Sequence, residues 1–488
     1  MKEKKTLFQK LKEYNKTMLP MHMPGHKRNL ALSGTDGYLT ALGADCDITE
    51  IAGFDNLAEP EEILLSLKQR AAKLWKSEEA YPLVNGSTCG ILAGIYAAVP
   101  YGGEVIVARN CHKSVYNGLQ LVNANVTYLL PEQEPVTGSY GRITKAAVEI
   151  ALQKVPDAKL VIVTSPTYEG VLSDIAGICE IAHGMGVPVL VDSAHGAHLG
   201  FGEFPKGAAE CGADLVVHSL HKTLPCLTQT AMLHRTGRLV SGQALQTAIN
   251  MFQTSSPSYL LLASIDGCIG LLEKREETLF YEWGEALTEF YQGARLLQNL
   301  RILFDEDAAD AEQRCAGARD NKGLVRDPGK LVIVTAGTDL TGPELMELLR
   351  TEYRIELEMA AERYGLAMTG PGDTKESLTC LLKALLAIDE KCHKGPEKEL
   401  LYPALPTIHL PIGEAMSRKS EELPLEEAVG RIAAEHLWAY PPGIPVVVAG
   451  EELTEETTNY LLEKKSLGVE LHRKSGNCKG TLLLEVVK

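Results

Sequence analysis

The stretch "LVIVTSPTYEGVLSDIAGICEIAHGMGVPVLVDSAH", residues 160–195, sets the fold class. It opens on an apolar, β-branched run, LVIVT (160–164), passes through a helical stretch, and returns to a second run, VPVLV (187–191), that stops at Asp192. Runs that are apolar at every position, rather than at alternate ones, suit strands buried on both faces. Strand, helix and strand in series imply parallel pairing under covering helices. The same pattern extends outward, with EVIVA (104–108) and VTYLL (126–130) before it and DLVV (214–217) after it. An α/β fold with a mostly parallel central sheet is therefore predicted. Four of the runs are followed within a few residues by polar groups: Asn110 and His112; Ser165 and Thr167; Asp192 and His195; Ser219, His221 and Lys222. Open α/β sheets bind ligands beyond the carboxyl ends of their strands, so these groups are expected to meet there.

The chain has 488 residues, enough for two or three domains at roughly 100–200 residues each. Its 48 Lys and Arg against 64 Asp and Glu give a net charge of −16, which as a whole repels nucleic acid and anionic membrane. The basic N-terminal segment MKEKKTLFQKLKEYNKTMLP (1–20) has no apolar core of the signal-peptide kind, and no apolar run reaches the length of a membrane span. Eleven scattered cysteines without a C-x-x-C spacing suggest neither a disulfide framework nor a zinc site. A cytoplasmic protein without a bound metal, nucleic-acid partner or membrane partner is the expectation. Beyond the first sheet, SPSYLLLASIDGCIGLLEKREETLFYEWGEALTEFYQGARLLQNL (256–300) reads as a long connecting helix. A second α/β unit follows, with a strand KLVIVTAG (330–337) and helices over 343–356 and 375–391. CHKGPEKELLYPALP (392–406) carries the proline and charge of a boundary, and a third, smaller piece ends the chain.

Three sites along the first unit carry chemistry when taken together. A strand-like AYPLV (80–84) runs into NGSTCGILAGIYAAV (85–99), a helix start that offers Ser87, Thr88 and free backbone N–H groups to an anion such as phosphate. Ser and Thr there are equally ordinary helix caps. Asp192 ends a strand, either as a cap or as the partner of a protonated heteroaromatic nitrogen. Lys222, in HSLHKTLPCLTQT (218–230), is either a solvated loop residue or an amine that condenses with an aldehyde. In this chain order the three supply what pyridoxal phosphate requires: an anchor for the phosphate, a partner for the pyridinium and an amine for the aldehyde.

The motifs MHMPGHK (21–27), NGSTCG (85–90), RNCHKSVYNG (109–118), VDSAHGAHLGF (191–201), HSLHKTLPCLTQTAMLH (218–234), TSSPSYLLLASID (254–266) and YPPGIP (440–445) together resemble the Orn/Lys/Arg decarboxylases, in consistent order over nearly the whole chain. The resemblance implies a pyridoxal-phosphate-dependent transferase fold of type I with a small α/β domain and a C-terminal α+β domain. The divisions expected are an N-terminal arm (1–35), a large cofactor-binding domain with its connector helix (36–300), a small domain (301–392) and a C-terminal decarboxylase domain (393–488). It implies that Lys222 bonds the cofactor, that Asp192 pairs with the ring nitrogen, and that His112 stacks on the ring. Ser87, Thr88, Ser219 and His221 would hold the phosphate, and His195 would lie beside Asp192. Lys222 or His221 would reprotonate the α-carbon. The segment TEIAGFDNL (49–57), inside an acidic stretch (45–62) with seven carboxylates and no Lys or Arg, also resembles a family segment near the active site, which nominates Glu50 and Asp55 for the distal cation of a diamino acid. The expected reaction is decarboxylation of arginine, lysine or ornithine to CO2 and a polyamine-pathway amine. A start close to MPGHK resembles the short form of the family, expected to be a homodimer with shared active sites. Another type I enzyme, such as an aminotransferase or aldolase, and a catalytically silent regulatory homologue are the alternatives.

Overall fold

A computed structural model describes residues 5–303, 325–395, 403–440, 443–466, 469–474, 476–477 and 481–488. Parts of two stretches read above, the boundary 392–406 and the YPPGIP motif, lie outside the described residues. The centre is a seven-stranded sheet in the spatial order Glu79–Leu83, Ala231–Arg235, Leu215–Ser219, Val189–Asp192, Leu160–Thr164, Glu104–Ala108, Asn125–Leu129. The last five pair in parallel, whereas Ala231–Arg235 runs antiparallel to both of its neighbours. Two strands start later than their apolar runs. The second run of the opening stretch forms its strand over Val189–Asp192, beyond Pro188, whose imide has no N–H for a ladder. The run at 214–217 pairs over Leu215–Ser219, which brings Ser219 into the strand itself.

The helix Gly86–Ala98 lies directly on this sheet, and its small residues explain the approach. A Cβ on Gly90 would fall 2.8 Å from Leu83 Cδ1 and 3.0 Å from Val217 Cγ1, and one on Gly94 would fall 2.8 Å from Leu190 Cδ1. The helix is thereby seated over the strands that end in Asp192 and Ser219, with its N-terminus at their carboxyl ends. The long helix Tyr259–Ala294 starts at Ser258, whose side chain accepts the Leu261 N–H. Its buried Asp266 receives the Leu7 N–H at 2.7 Å and Arg70 at 2.6 Å, so one carboxylate fixes the N-terminal helix Leu7–Thr17 to the rest of the chain.

A second, antiparallel sheet orders its strands Met359–Ala361, Tyr364–Met368, Lys330–Val334, Arg301–Ile302 and carries the helices Gly342–Glu352 and Lys375–Asp389. The C-terminal part has a core of its own around Leu425, Leu437, Leu461 and Leu484. Arg109 ties this part to the main sheet: its buried guanidinium donates to the Pro445 carbonyl at 2.6 Å, the Val446 carbonyl at 3.0 Å and the Glu451 carboxylate at 3.2 Å. Among the described residues no helix is long and apolar enough to cross a membrane.

Candidate active site

Adjacent strand ends bring Asp192, His195, Ser219 and Lys222 together. Asp192 pairs in register with Thr164 on one side and Val217 on the other. Past the strand ends the loops stay joined, the Ser193 N–H donating to the Val217 carbonyl and the Ser219 N–H to the Ala194 carbonyl. Lys222 sits in the single helical turn Leu220–Thr223, which is held by the Leu220 N–H on the Thr230 carbonyl and by His221 Nδ1 donating to the same oxygen at 2.9 Å. Ser219 is buried and donates its hydroxyl to Ser87 Oγ at 2.8 Å, so the two serines foreseen as phosphate ligands share one spot at the start of the Gly86–Ala98 helix. Gly86 there has φ +74°, a left-handed conformation that lets the chain turn sharply from strand to helix. Asn85 does not cap the helix, so the first N–H groups are open to an anion. Thr88 is on the exposed side of the same turn.

The electrostatics follow from burial. Asp192 is 4% exposed, and the Ala194 N–H, at 3.2 Å, is the one hydrogen bond to its carboxylate among the described residues. Burial raises its pKa, opposed by the charge of Lys222 and by that N–H. A buried carboxylate with so little compensation calls for a cation beside it. Lys222 is displaced downward, first by burial, against the pull of Asp192 and Glu358. His112 caps the helix Lys113–Leu121, with Nδ1 accepting the Ser114 N–H at 3.2 Å, which leaves the proton of the neutral ring on Nε2. Burial, then the charges of Lys222 and Lys113, push its pKa down to about 4, so the ring stays uncharged.

His195 has a more specific place than beside Asp192. Its Nε2 is 3.0 Å from Lys222 Nζ and its Nδ1 is 3.0 Å from Lys330 Nζ, while Tyr168 lies against its ring at 4.5 Å between centroids. Tyr168 in turn donates its hydroxyl to Glu358, and Lys222 Nζ is 6.0 Å from the Tyr168 ring centre. Lys330, Tyr168 and Glu358 were not foreseen. A lysine opening the otherwise apolar strand KLVIV was the available signal, because a charge that starts a buried strand needs a partner.

The two acidic candidates separate. Asp55, at φ +73°, accepts the N–H groups of Asn56, Glu61, Glu62 and Leu64 at 2.7–3.3 Å and so caps the start of the helix Ile63–Leu74. These bonds hold its pKa low in spite of burial, and the local duty occupies the carboxylate. Glu50 instead lines a cleft with Asn56, Asn250, Gln253, Thr254 and Ser255. That cleft adjoins the turn that leads into the Gly86–Ala98 helix, since the Thr254 N–H reaches Asn85 Oδ1 at 3.4 Å and the Val84 N–H donates to Gln253 Oε1 at 2.9 Å.

A mostly parallel sheet that ends in a buried aspartate on one strand and a lysine past the next, facing an open helix N-terminus, is the pyridoxal-phosphate-dependent transferase fold of type I. The comparisons narrow this class. Residues 5–348 match the model of the Orn/Lys/Arg decarboxylase major domain and residues 406–470 that of the Orn/Lys/Arg decarboxylase C-terminal domain. An arginine decarboxylase of Halalkalibacterium halodurans is 32% identical, covering 92% of this chain and 90% of its own. One of Bacillus subtilis is 31% identical over 94% and 93%. The crystal structure of a Francisella novicida lysine decarboxylase superposes with a TM-score of 0.82 at 20% identity, covering 99% of this chain and 81% of the other. The chain belongs to the Orn/Lys/Arg decarboxylase family and is a decarboxylase.

Proposed function

We propose that the protein uses pyridoxal phosphate to decarboxylate arginine, forming the corresponding amine for polyamine synthesis. The observation that carries the cofactor reading is the poorly compensated buried carboxylate of Asp192 one strand from the Lys222 turn, with the Ser87–Ser219 pair at the same end of the sheet. The cofactor, when bound, supplies an electron-accepting ring for the pair left on the α-carbon as CO2 departs. Asp192 would keep a proton on the ring nitrogen, and its low-dielectric surroundings would strengthen that contact. Lys222 provides the amine that bonds the aldehyde. The uncharged ring of His112 would pack on the cofactor without competing for the positive charge of its nitrogen. Ser87, Thr88, Ser219 and the helix N-terminus hold the phosphate, with His221 orienting the lysine turn through Thr230. Lys222 or His221 returns the proton to the α-carbon.

Arginine is favoured over lysine because the relatives named arginine decarboxylase are 30–32% identical, whereas those named lysine decarboxylase are 23–25% identical. Glu50 is the proposed partner of the distal cation. A homodimer is proposed, with the TSSPSY segment of the Glu50 cleft serving a shared site, as are the domain divisions at 35, 300 and 392. The test is CO2 release from arginine, lysine and ornithine side by side with added pyridoxal phosphate. Release from arginine fastest supports the reading; release fastest from another substrate refutes the choice of arginine, and a keto acid in place of CO2 and amine refutes the reaction.

A further inference from the structure

The two lysines flanking His195 impose a proton count. His195 is 6% exposed, and burial above all drives its pKa well below the ordinary value, so its ring is neutral. A neutral imidazole has one N–H and one lone pair, and a lysine ammonium has donors only. With an Nζ at 3.0 Å from each ring nitrogen, an ammonium can be satisfied at one end, and the other end must be a neutral amine that accepts the ring N–H.

We propose that Lys330 is a positioning residue: as the ammonium it donates to His195 Nδ1, which places the ring proton on Nε2 and presents Lys222 as a neutral amine. The surroundings decide which lysine keeps its charge. Lys330 is 3% exposed and faces Asp327, Glu358 and Glu169, with the Lys222 amine on the far side of His195. Lys222 faces Asp192 and Glu358, with His195, His112 and the Tyr168 ring around it. Asp327 is the strongest of the acidic groups acting on Lys330; it is fully buried, is held by the Gly329 N–H at 2.8 Å and has His198 Nε2 at 3.0 Å, and its pKa is lowered, so it is a fixed negative charge. Burial lowers Lys330 to about 8 even with these acidic groups beside it, which still leaves the ammonium as its main form at neutral pH. The Lys330 stem is fixed too. Gly170, at φ +89°, packs so close that a Cβ there would come 2.7 Å from Lys330 Cγ and 2.8 Å from its Cβ, so the stem rests directly on the Gly170 backbone. A neutral Lys222 is the form that attacks an aldehyde, so the arrangement prepares the amine before the cofactor arrives.

The inference rests on Lys222 being the cofactor amine, but its test reads the proton on Lys222 independently of turnover. The full-length chain, freed of cofactor, is labelled with trace acetic anhydride from pH 6 to 11, and acetylation of Lys222 is followed by peptide mass spectrometry. The unaltered protein is expected to show a midpoint below the ordinary lysine value of about 10.4. Lys330→Met removes the cation and frees the ring to accept from Lys222, so the midpoint should rise by about one pH unit, a tenfold change in the reactive fraction. Lys330→Arg retains a permanently charged donor and should keep the midpoint low. An unshifted midpoint in Lys330→Met, or equal shifts in the Met and Arg variants, overturns the proposal. Should the Met variant not fold, Asp327→Asn discriminates: loss of a nearby negative charge would by itself lower the Lys222 midpoint, whereas transfer of the proton from Lys330 raises it, and a fall or no change refutes the assignment. Absence of CO2 release would count against the decarboxylase reading alone.

Discussion

Replacing Asp192 by Asn keeps the shape of the site and removes its one fixed negative charge at the strand end. In the folded protein this carboxylate has a single backbone hydrogen bond, from Ala194, to offset its burial, so nearly all of its capacity to stabilise a cation is available to the ring nitrogen. A close, buried carboxylate raises a cation's pKa by about 1–3 units, and full burial puts Asp192 toward the upper end. At 1.36 kcal/mol per unit, about 2–3 units are about 3–4 kcal/mol. If that stabilisation is realised as charge flows into the ring, kcat should fall by about 100- to 1,000-fold. Cofactor affinity should change far less, because Ser87, Ser219 and the helix N-terminus are untouched. The assay is CO2 release at saturating substrate, with cofactor occupancy followed by visible absorbance. An Asp192→Asn protein that binds cofactor and retains a third or more of its kcat refutes the pairing.

Gly90→Ala should lift the helix Gly86–Ala98 from the sheet, because the new Cβ would sit 2.8 Å from Leu83 Cδ1; a loss of about 1–3 kcal/mol in urea denaturation and weaker cofactor binding are expected together. Glu451→Gln leaves the Arg109 guanidinium buried without a counter-charge, which should cost about 3–5 kcal/mol by chemical denaturation, and a Arg109→Met, Glu451→Met double variant should recover most of it. Acid should weaken the fold before carboxylates matter. His112 and His436 titrate at about 4 and His218 at about 3 when folded, below the unfolded value of about 6.5, because burial disfavours their charged forms. Between these limits the unfolded chain binds more protons, so the stabilisation present above pH 6.5 is lost as pH falls toward 4; equal denaturation midpoints at pH 7 and pH 5 would contradict this.

Much of the large sheet was readable because its strands are buried on both faces and therefore apolar throughout: EVIVA and LVIVT match the observed strands residue for residue. The antiparallel Ala231–Arg235 was harder to read, since AMLHR mixes apolar and polar side chains, with His234 buried against Trp75 and His218. Lys222, Asp192 and Ser87 could be grouped from the sequence because each lies at or just past the carboxyl end of a strand, the edge at which such sheets bind ligands. Asp55 is nominated beside Glu50 for the substrate cation because TEIAGFDNL resembles a family segment near the active site. Its actual partners are four backbone N–H groups of a turn, a local bonding pattern that composition does not reveal.

Lys330 was hidden for a different reason. It lies 135 residues from His195 and belongs to the other sheet, so no local pattern links the two. The pairing divides the work of the site between two sheets. The parallel sheet fixes where the Lys222 amine stands, through the register of Asp192 with Val217 and the closed turn after Ser219. The antiparallel sheet brings Lys330, and the segment beside it brings Glu358, so it governs whether that amine carries a proton. A change in how the second sheet sits against the first would therefore alter the reactivity of Lys222 without moving Lys222. Lengthening the contact at Gly170, where the Lys330 stem rests, should act in that way: Gly170→Ala is expected to raise the Lys222 acylation midpoint while leaving the Ser87–Ser219 end of the site intact.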